Sequence, residues 1–347
     1  MSNNNCVRKK YLCVVLLGLI ALSLAACSSR ANDDKIHVKV LILPKFEVGE
    51  MSGDFPGEAQ YYYEEYVEGG DVYDLENGTE GTKIYVKDDI ALCLVGEGKV
   101  NSTLNTTALL SDERFDFSDA YILSTGCAGS AYEYGVMGDV YVISSAVDFD
   151  LGHHADPREL DEASDITWFH DSEFDDSAFV MLDPELTDRV YDLVKDVKPE
   201  TTENTKQHMK NAFPGEEWAE REPMVLRGTS VTGDNYWKGM YDHKNAVLLT
   251  ETYGCPDPYA VTEMEDVAVS NVVEAFDMLD RYMIIRDSVN MDVFMLDATP
   301  ESLWGKEVED EISSDDSAES LDIFPTAMKN NFEVGKIVIE AIMNDDL

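Results

Sequence analysis

The stretch TEMEDVAVSNVV (262–273) sets a methionine between two carboxylates and then runs into an apolar, helix-like pattern. An ionised carboxylate only accepts hydrogen bonds, and it can take two hydroxyl donors at once. Met264 and Glu265 together therefore present an apolar face and a negative charge to one ligand. At a helix start the positive dipole end tolerates such a charge, and Glu263 and Asp266 read as flanking or capping groups.

Three further stretches carry groups that could meet the same ligand. STGCAGSA (124–131) follows a strand and offers Gly126, Cys127 and Ala128, where small residues let the backbone approach closely. RGTSVTGDNYWKG (227–239) brings Tyr236 and Trp237, whose rings either stack on a flat ligand or pack onto the sheet. IIRDSVNMD (284–292) ends an apolar strand in Arg286, Asp287, Ser288 and Asn290, and an asparagine donates and accepts at once, which suits a purine edge. GEGKVN (96–101) is a glycine turn entering a helix, where free N–H groups can hold an anion.

Other chemistries find little support. The pair His153 and His154 reads as surface or second-layer polarity, no cysteine spacing fits zinc, and no metal is expected. No GxSxG elbow is present to carry a serine nucleophile.

These residues must be held by a scaffold, and the apolar runs describe one. IHVKVLIL, IALCLVGEG, AYILSTGCAG, DVYVISSAV, MVLRGTSVTGD, NAVLLTETYG and YMIIRDSV are rich in β-branched residues and close in glycine or polar turns. Runs apolar on both faces predict an α/β fold with a central, largely parallel or mixed sheet covered by helices. In such a fold ligands gather at the carboxyl ends of the strands. Helices are expected over 101–110, 183–197, 259–279 and 324–343, the last with an apolar stripe at Phe332, Ile337, Val338, Ala341 and Ile342. Residues 305–322 read as an acidic loop.

The first 27 residues carry a different message. VRKK precedes an apolar stretch of 16 residues that ends in LAAC. This resembles a bacterial lipoprotein signal, which implies cleavage before Cys27, a lipid on that cysteine and an extracytoplasmic protein tethered to a membrane. The expected division is a signal over 1–26, a tether over 27–34 and one α/β domain over 35–347. An apolar stretch of 16 is short of the roughly 20 residues a membrane span needs.

With 70 acidic against 26 basic residues the chain carries a formal charge of −44, and losing Arg8, Lys9 and Lys10 with the signal makes it −47. Nucleic acid and anionic lipid are repelled by such a surface. Once Cys27 is lipidated, Cys93, Cys127 and Cys255 allow at most one disulfide.

Taken in order, CLVGEGKVNSTLNTTAL, TGCAG, GDVYVISSAVDFD, TSVTGDNYWKG, TEMEDVAV and IIRDSVNMD resemble the purine nucleoside permease family, within the purine nucleoside phosphorylase and nucleosidase superfamily. The resemblance runs from about Lys35 onward and implies a nucleoside-phosphorylase-like α/β domain, a central mixed twisted sheet flanked by helices. It implies a ribose site in which Glu265 accepts from the 2′- and 3′-hydroxyls while Met264 packs on the sugar, with Asn290 beside N7 of a purine. Related enzymes mostly carry an aspartate there; asparagine binds the base but cannot protonate it.

Phosphorolytic relatives also place an arginine where this chain has Ser124, which makes phosphate the less favoured co-substrate. Hydrolytic relatives use a glutamate after the first strand to position water, and Glu47 in LPKFEVGE, or else Glu50, falls in that neighbourhood. The expected activity is cleavage of an N-glycosidic bond with no cofactor; the alternative is nucleoside capture for a separate transporter. A homo-oligomer is compatible with either.

Overall fold

The computed structural model describes residues 35–154, 168–169, 175–294 and 322–347. The expected signal and tether, and nearly all of the acidic stretch at 305–322, lie outside the described residues. Ten strands form one sheet: β1 (Val40–Leu43), β2 (Asp71–Asp74), β3 (Lys83–Lys87), β4 (Ile90–Cys93), β5 (Tyr121–Ser130), β6 (Val140–Asp148), β7 (Phe179–Met181), β8 (Val225–Thr232), β9 (Tyr259–Glu263) and β10 (Tyr282–Met291). The main helices are α1 (Gly98–Leu110), α2 (Pro184–Val194), α3 (Glu203–Ala212), α4 (Met240–Tyr253), α5 (Asp266–Ala275) and α6 (Ile323–Met343).

The sheet is mixed and runs β7-β6-β8-β9-β5-β1-β4-β3-β2. Strand β10 pairs in parallel with β5 and antiparallel with β6, so β5, β10, β6, β8 and β9 close into a ring. Closure removes the edges of the five strands that carry the candidate motifs.

Alternate residues of each strand feed two cores, because successive side chains point to opposite faces. On one face Leu41, Ile122 and Ile284 pack with Leu109 of α1 and Val269 and Val273 of α5. On the other, Ile42, Leu123 and Ile285 pack with Val190 of α2 and Val334 and Val338 of α6. The doubly buried runs of the sequence are these strands.

Two assignments change. NAVLLTETYG, expected as a strand, lies in α4, which Gly254 ends in the left-handed conformation (φ 66°). A short apolar run has no intrinsic helix or strand signature, and the preceding helix-compatible residues from Met240 carry it into the helix. The expected helix over 259–279 instead begins as β9, because YAVTE hydrogen-bonds in parallel to β8, and becomes helical only at Asp266. Cys93, Cys127 and Cys255 are free thiols. Among the described residues no helix is long and apolar enough to cross a membrane.

Candidate functional site

The site is built where β9 turns into α5 beside β10. Glu263 ends β9 and its side chain folds back to cap the helix, accepting from the amides of Glu265 (2.6 Å) and Asp266 (2.7 Å) with Oε2. Its Oε1 accepts from the hydroxyls of Ser230 (2.7 Å) and Thr232. Arg286, fully buried on β10, then binds three carboxylates at once: Nη2 reaches Glu263 (3.0 Å), Glu265 (3.2 Å) and Asp266 (2.6 Å), and Nη1 donates to the carbonyl of Cys127 (2.9 Å). A guanidinium alone offers enough donors in one plane for this.

Glu265 is the member of this cluster with capacity to spare. Its Oε2 takes one bond from Arg286 and its Oε1 one from the amide of Gly98 (2.9 Å), at the start of α1. The anion held by the GEGKVN turn is thus the chain's own Glu265. Each oxygen keeps a second lone pair, so two further donors can be accepted. Burial raises the Glu265 pKa, while Arg286 and then Lys45 pull it back. Burial raises Glu263 to about 7, followed by the neighbouring charge of Asp266.

Lys45 follows β1 and is also buried. Its Nζ donates to the carbonyl of Leu43 (2.9 Å), the hydroxyl of Ser124 (2.7 Å) and the carbonyl of Thr125 (3.1 Å). An ammonium has three donors, and all three are taken within the chain. Burial lowers its pKa, as does Arg286, against the opposing charges of Asp266, Glu58 and Glu265.

Glu58 completes the cluster, 5 % exposed. It accepts from the amides of Lys45 (2.8 Å, Oε2) and Cys127 (2.8 Å, Oε1). A Cβ on Gly126 would stand 2.5 Å from its Oε1, so a glycine is needed there. Gly129 likewise leaves room for the Asn290 amide, whose Nδ2 lies 2.7 Å from where its Cβ would be. Asn290 pairs with Gly129 across β10 and β5 and donates to the carbonyl of Met291 (3.1 Å).

Of the residues singled out in the sequence, Glu265, Arg286, Gly126 and Cys127 meet here, Met264 lies between Glu263 and Glu265 on the same turn, and Ala128 and Asn290 lie farther along the paired strands. Trp237 does not face this cluster: it is buried and stacks on Phe149 with centroids 4.9 Å apart. Packing onto the sheet side has won for that ring because its neighbour is aromatic. Tyr236 remains half exposed, with Lys238 Nζ 5.8 Å over its ring.

Glu47 is committed elsewhere. Its Oε1 accepts from the amides of Val48 and Gly57, and its Oε2 from those of Ala59 (3.0 Å) and Gln60 (2.6 Å), capping the helical turn Gln60–Tyr62. Glu50 lies in an exposed turn. The carboxylate that reaches the glycine loop is Glu58, which nothing in the sequence distinguishes from its many acidic neighbours. Lys45 was equally hidden, since a lone lysine after a strand carries no spacing signal. Among the described residues no group of histidine, cysteine and acidic side chains could hold a metal ion.

Comparison with known proteins bears on the family and the fold. The family model for purine nucleoside permease matches residues 37–346. A probable purine nucleoside permease of Schizosaccharomyces pombe is 28 % identical over 224 residues, 57 % of this chain; the match spans 63 % of that relative's length. The fold is similar to that of a 5′-methylthioadenosine/S-adenosylhomocysteine nucleosidase from Neisseria meningitidis (TM-score 0.52, 16 % identity, covering 87 % of this chain and 99 % of that one). It is equally similar to futalosine hydrolase of Helicobacter pylori (TM-score 0.53, 17 % identity, 87 % and 97 % coverage). The chain belongs to the purine nucleoside permease family.

Proposed function

We propose that the protein binds a purine nucleoside and cleaves its N-glycosidic bond with water. The observation that carries this reading is Glu265, a buried carboxylate fixed by Arg286 and the Gly98 amide with one lone pair free on each oxygen. A ribose diol supplies the two matching donors, and a carboxylate held in this way does not have to reorganise to receive them. Met264 follows as the apolar wall for the sugar, Asn290 holds the purine edge, and Tyr236 covers the ring.

Glu58 takes the part first expected of Glu47: it orients the attacking water and receives its proton. Water is preferred to phosphate because Lys45, the cation on Ser124, has no donor left for an anion. The nucleosidase and hydrolase folds of the structural neighbours support the reaction class.

In this reading Cys27 carries a lipid that tethers the protein outside the membrane, where it feeds a separate transporter. A second reading, capture without turnover, is favoured by Asn290, which cannot protonate a leaving purine. The purified protein is incubated with inosine, guanosine and adenosine, with and without phosphate, and the products are separated by chromatography. Free base and free ribose in both buffers are expected. Release that needs phosphate would overturn the choice of water; tight binding with no release would leave only capture.

A further inference from the structure

The loop 233–239 joins β8 to α4, and its two ends are tied to the two ends of the candidate nucleoside site. At its start the Gly233 amide donates to the carbonyl of Glu263 (2.9 Å), immediately before Met264 and Glu265. The Asp234 carboxylate accepts from the amide of Lys99 (2.8 Å), next to the Gly98 amide that holds Glu265. At its close the Gly239 amide donates to the carbonyl of Asp292 (2.8 Å), two residues beyond Asn290. The loop thus crosses from the ribose carboxylate to the residue at the purine edge. Trp237 anchors its middle on Phe149. Tyr236 and Lys238 flank that anchor and lie together, with the Lys238 Nζ 5.8 Å from the centre of the Tyr236 ring.

Lys238 differs from the other cations of the site. Lys45, Lys99 and Arg286 are matched within the chain: Lys45 by two carbonyls and a hydroxyl, Lys99 by Asp148 and Asp150, Arg286 by three carboxylates. Lys238 is half-buried, and among the described residues its ammonium meets no carboxylate, carbonyl or hydroxyl. Asp292, whose charge it senses, is already committed: one oxygen accepts from the Tyr132 amide (2.9 Å), the other meets His243 Nδ1 (2.7 Å) and the Tyr259 hydroxyl (2.9 Å). In a chain with 70 acidic residues, a half-buried lysine without an acid leaves three donors for something outside the chain.

We propose that Lys238 selects 6-oxopurine nucleosides, its ammonium donating to O6 while Asn290 holds the adjoining N7 edge of the base. This rests on the nucleoside reading above and names the class of base that the site takes. Hypoxanthine and guanine offer two acceptors, O6 and N7, along that edge, whereas adenine replaces O6 with an amino donor. An ammonium only donates, so an adenine amino group would face it donor against donor and leave both unpaired.

The test measures binding by the full-length protein of 9-deazainosine and 9-deazaadenosine, whose C–C glycosidic bond cannot be cleaved, so that turnover does not enter. The parent is expected to bind the 6-oxo analogue about tenfold or more tighter than the 6-amino one. Lys238→Met should weaken the 6-oxo analogue about ten- to hundredfold and change the 6-amino analogue by less than about threefold, bringing the two affinities together. Should that variant fold poorly, Lys238→Gln decides: its side-chain carbonyl accepts from the amino group, and the preference should shift toward 9-deazaadenosine.

Equal affinity of the parent for the two analogues overturns the proposal. So does a Lys238 variant that keeps the parent's preference, and so does equal weakening of both analogues, which assigns Lys238 to the shape of the loop. A parent that binds neither analogue overturns the nucleoside reading itself, and this proposal with it.

Discussion

Arg286 and Asp287 are consecutive residues on one strand, both wholly buried, and they are treated in opposite ways. Arg286 faces α1 and α5 and is bonded to Glu263, Glu265, Asp266 and the Cys127 carbonyl. Asp287 lies toward Tyr62 and Asn331 of α6, where burial and then the charge of Glu58 push its pKa up. On the first face charge is matched by charge, and the surplus acceptor capacity is concentrated on Glu265. On the second, burial disfavours the charged form of Asp287. The strand thus separates a face on which buried charges are matched from one on which burial opposes ionisation.

The largest effect should follow from breaking the matched face. Arg286→Met leaves three buried carboxylates without their cation, a loss of about 3–5 kcal/mol for one broken buried pair against a total stability of about 5–15 kcal/mol. Thermal melts followed by circular dichroism are expected to show a strongly lowered midpoint at neutral pH that partly recovers as the carboxylates protonate in acid. A parent-like melting curve at neutral pH would mean that the cluster is not held by Arg286.

Next comes the choice between two glutamates. Glu58→Gln is expected to lower kcat by about 10²–10⁴ while nucleoside affinity stays near that of the parent. Glu47→Gln should leave turnover alone and lower stability by about 1 kcal/mol, the usual value of a helix cap. Steady-state rates and thermal melts on the two variants separate the roles, and the reverse pattern would return the water to Glu47.

A smaller effect is graded with pH. The Glu263 pKa is raised by burial, then by Asp266, from 4.5 to about 7. A raised carboxyl contributes stability that is fully present below its unfolded value and lost as pH climbs through its folded value. Between about 4.5 and about 7 the shift corresponds to roughly 3 kcal/mol. Melting temperature should therefore fall across this window in the parent, and Glu263→Gln should flatten the fall. An unchanged slope would show that Glu263 does not titrate there.

Much of the fold could be read from the chain because doubly buried strands leave continuous apolar runs, as in β5, β6 and β10. β2 was lost among acids because an edge strand needs no such run: it is Asp71–Asp74 and largely exposed. The Gly126 loop, Glu265 and Asn290 were legible because motif order carries them. Glu58 and Lys45 were not, since each acts through a contact made far along the chain, Glu58 with Cys127 and Lys45 with Ser124. Asp287 was visible only as one polar residue among several; its burial is a property of the packed structure.

Glu265 remains the centre of the account, and calorimetric titration with inosine addresses it most directly. The parent should bind inosine, bind 2′-deoxyinosine more weakly by about 1–3 kcal/mol for the hydroxyl no longer donated to the carboxylate, and Glu265→Ala should retain a folded spectrum with no measurable binding. Parent-like binding of inosine by folded Glu265→Ala, or equal affinity for the two nucleosides, would contradict a ribose site at Glu265.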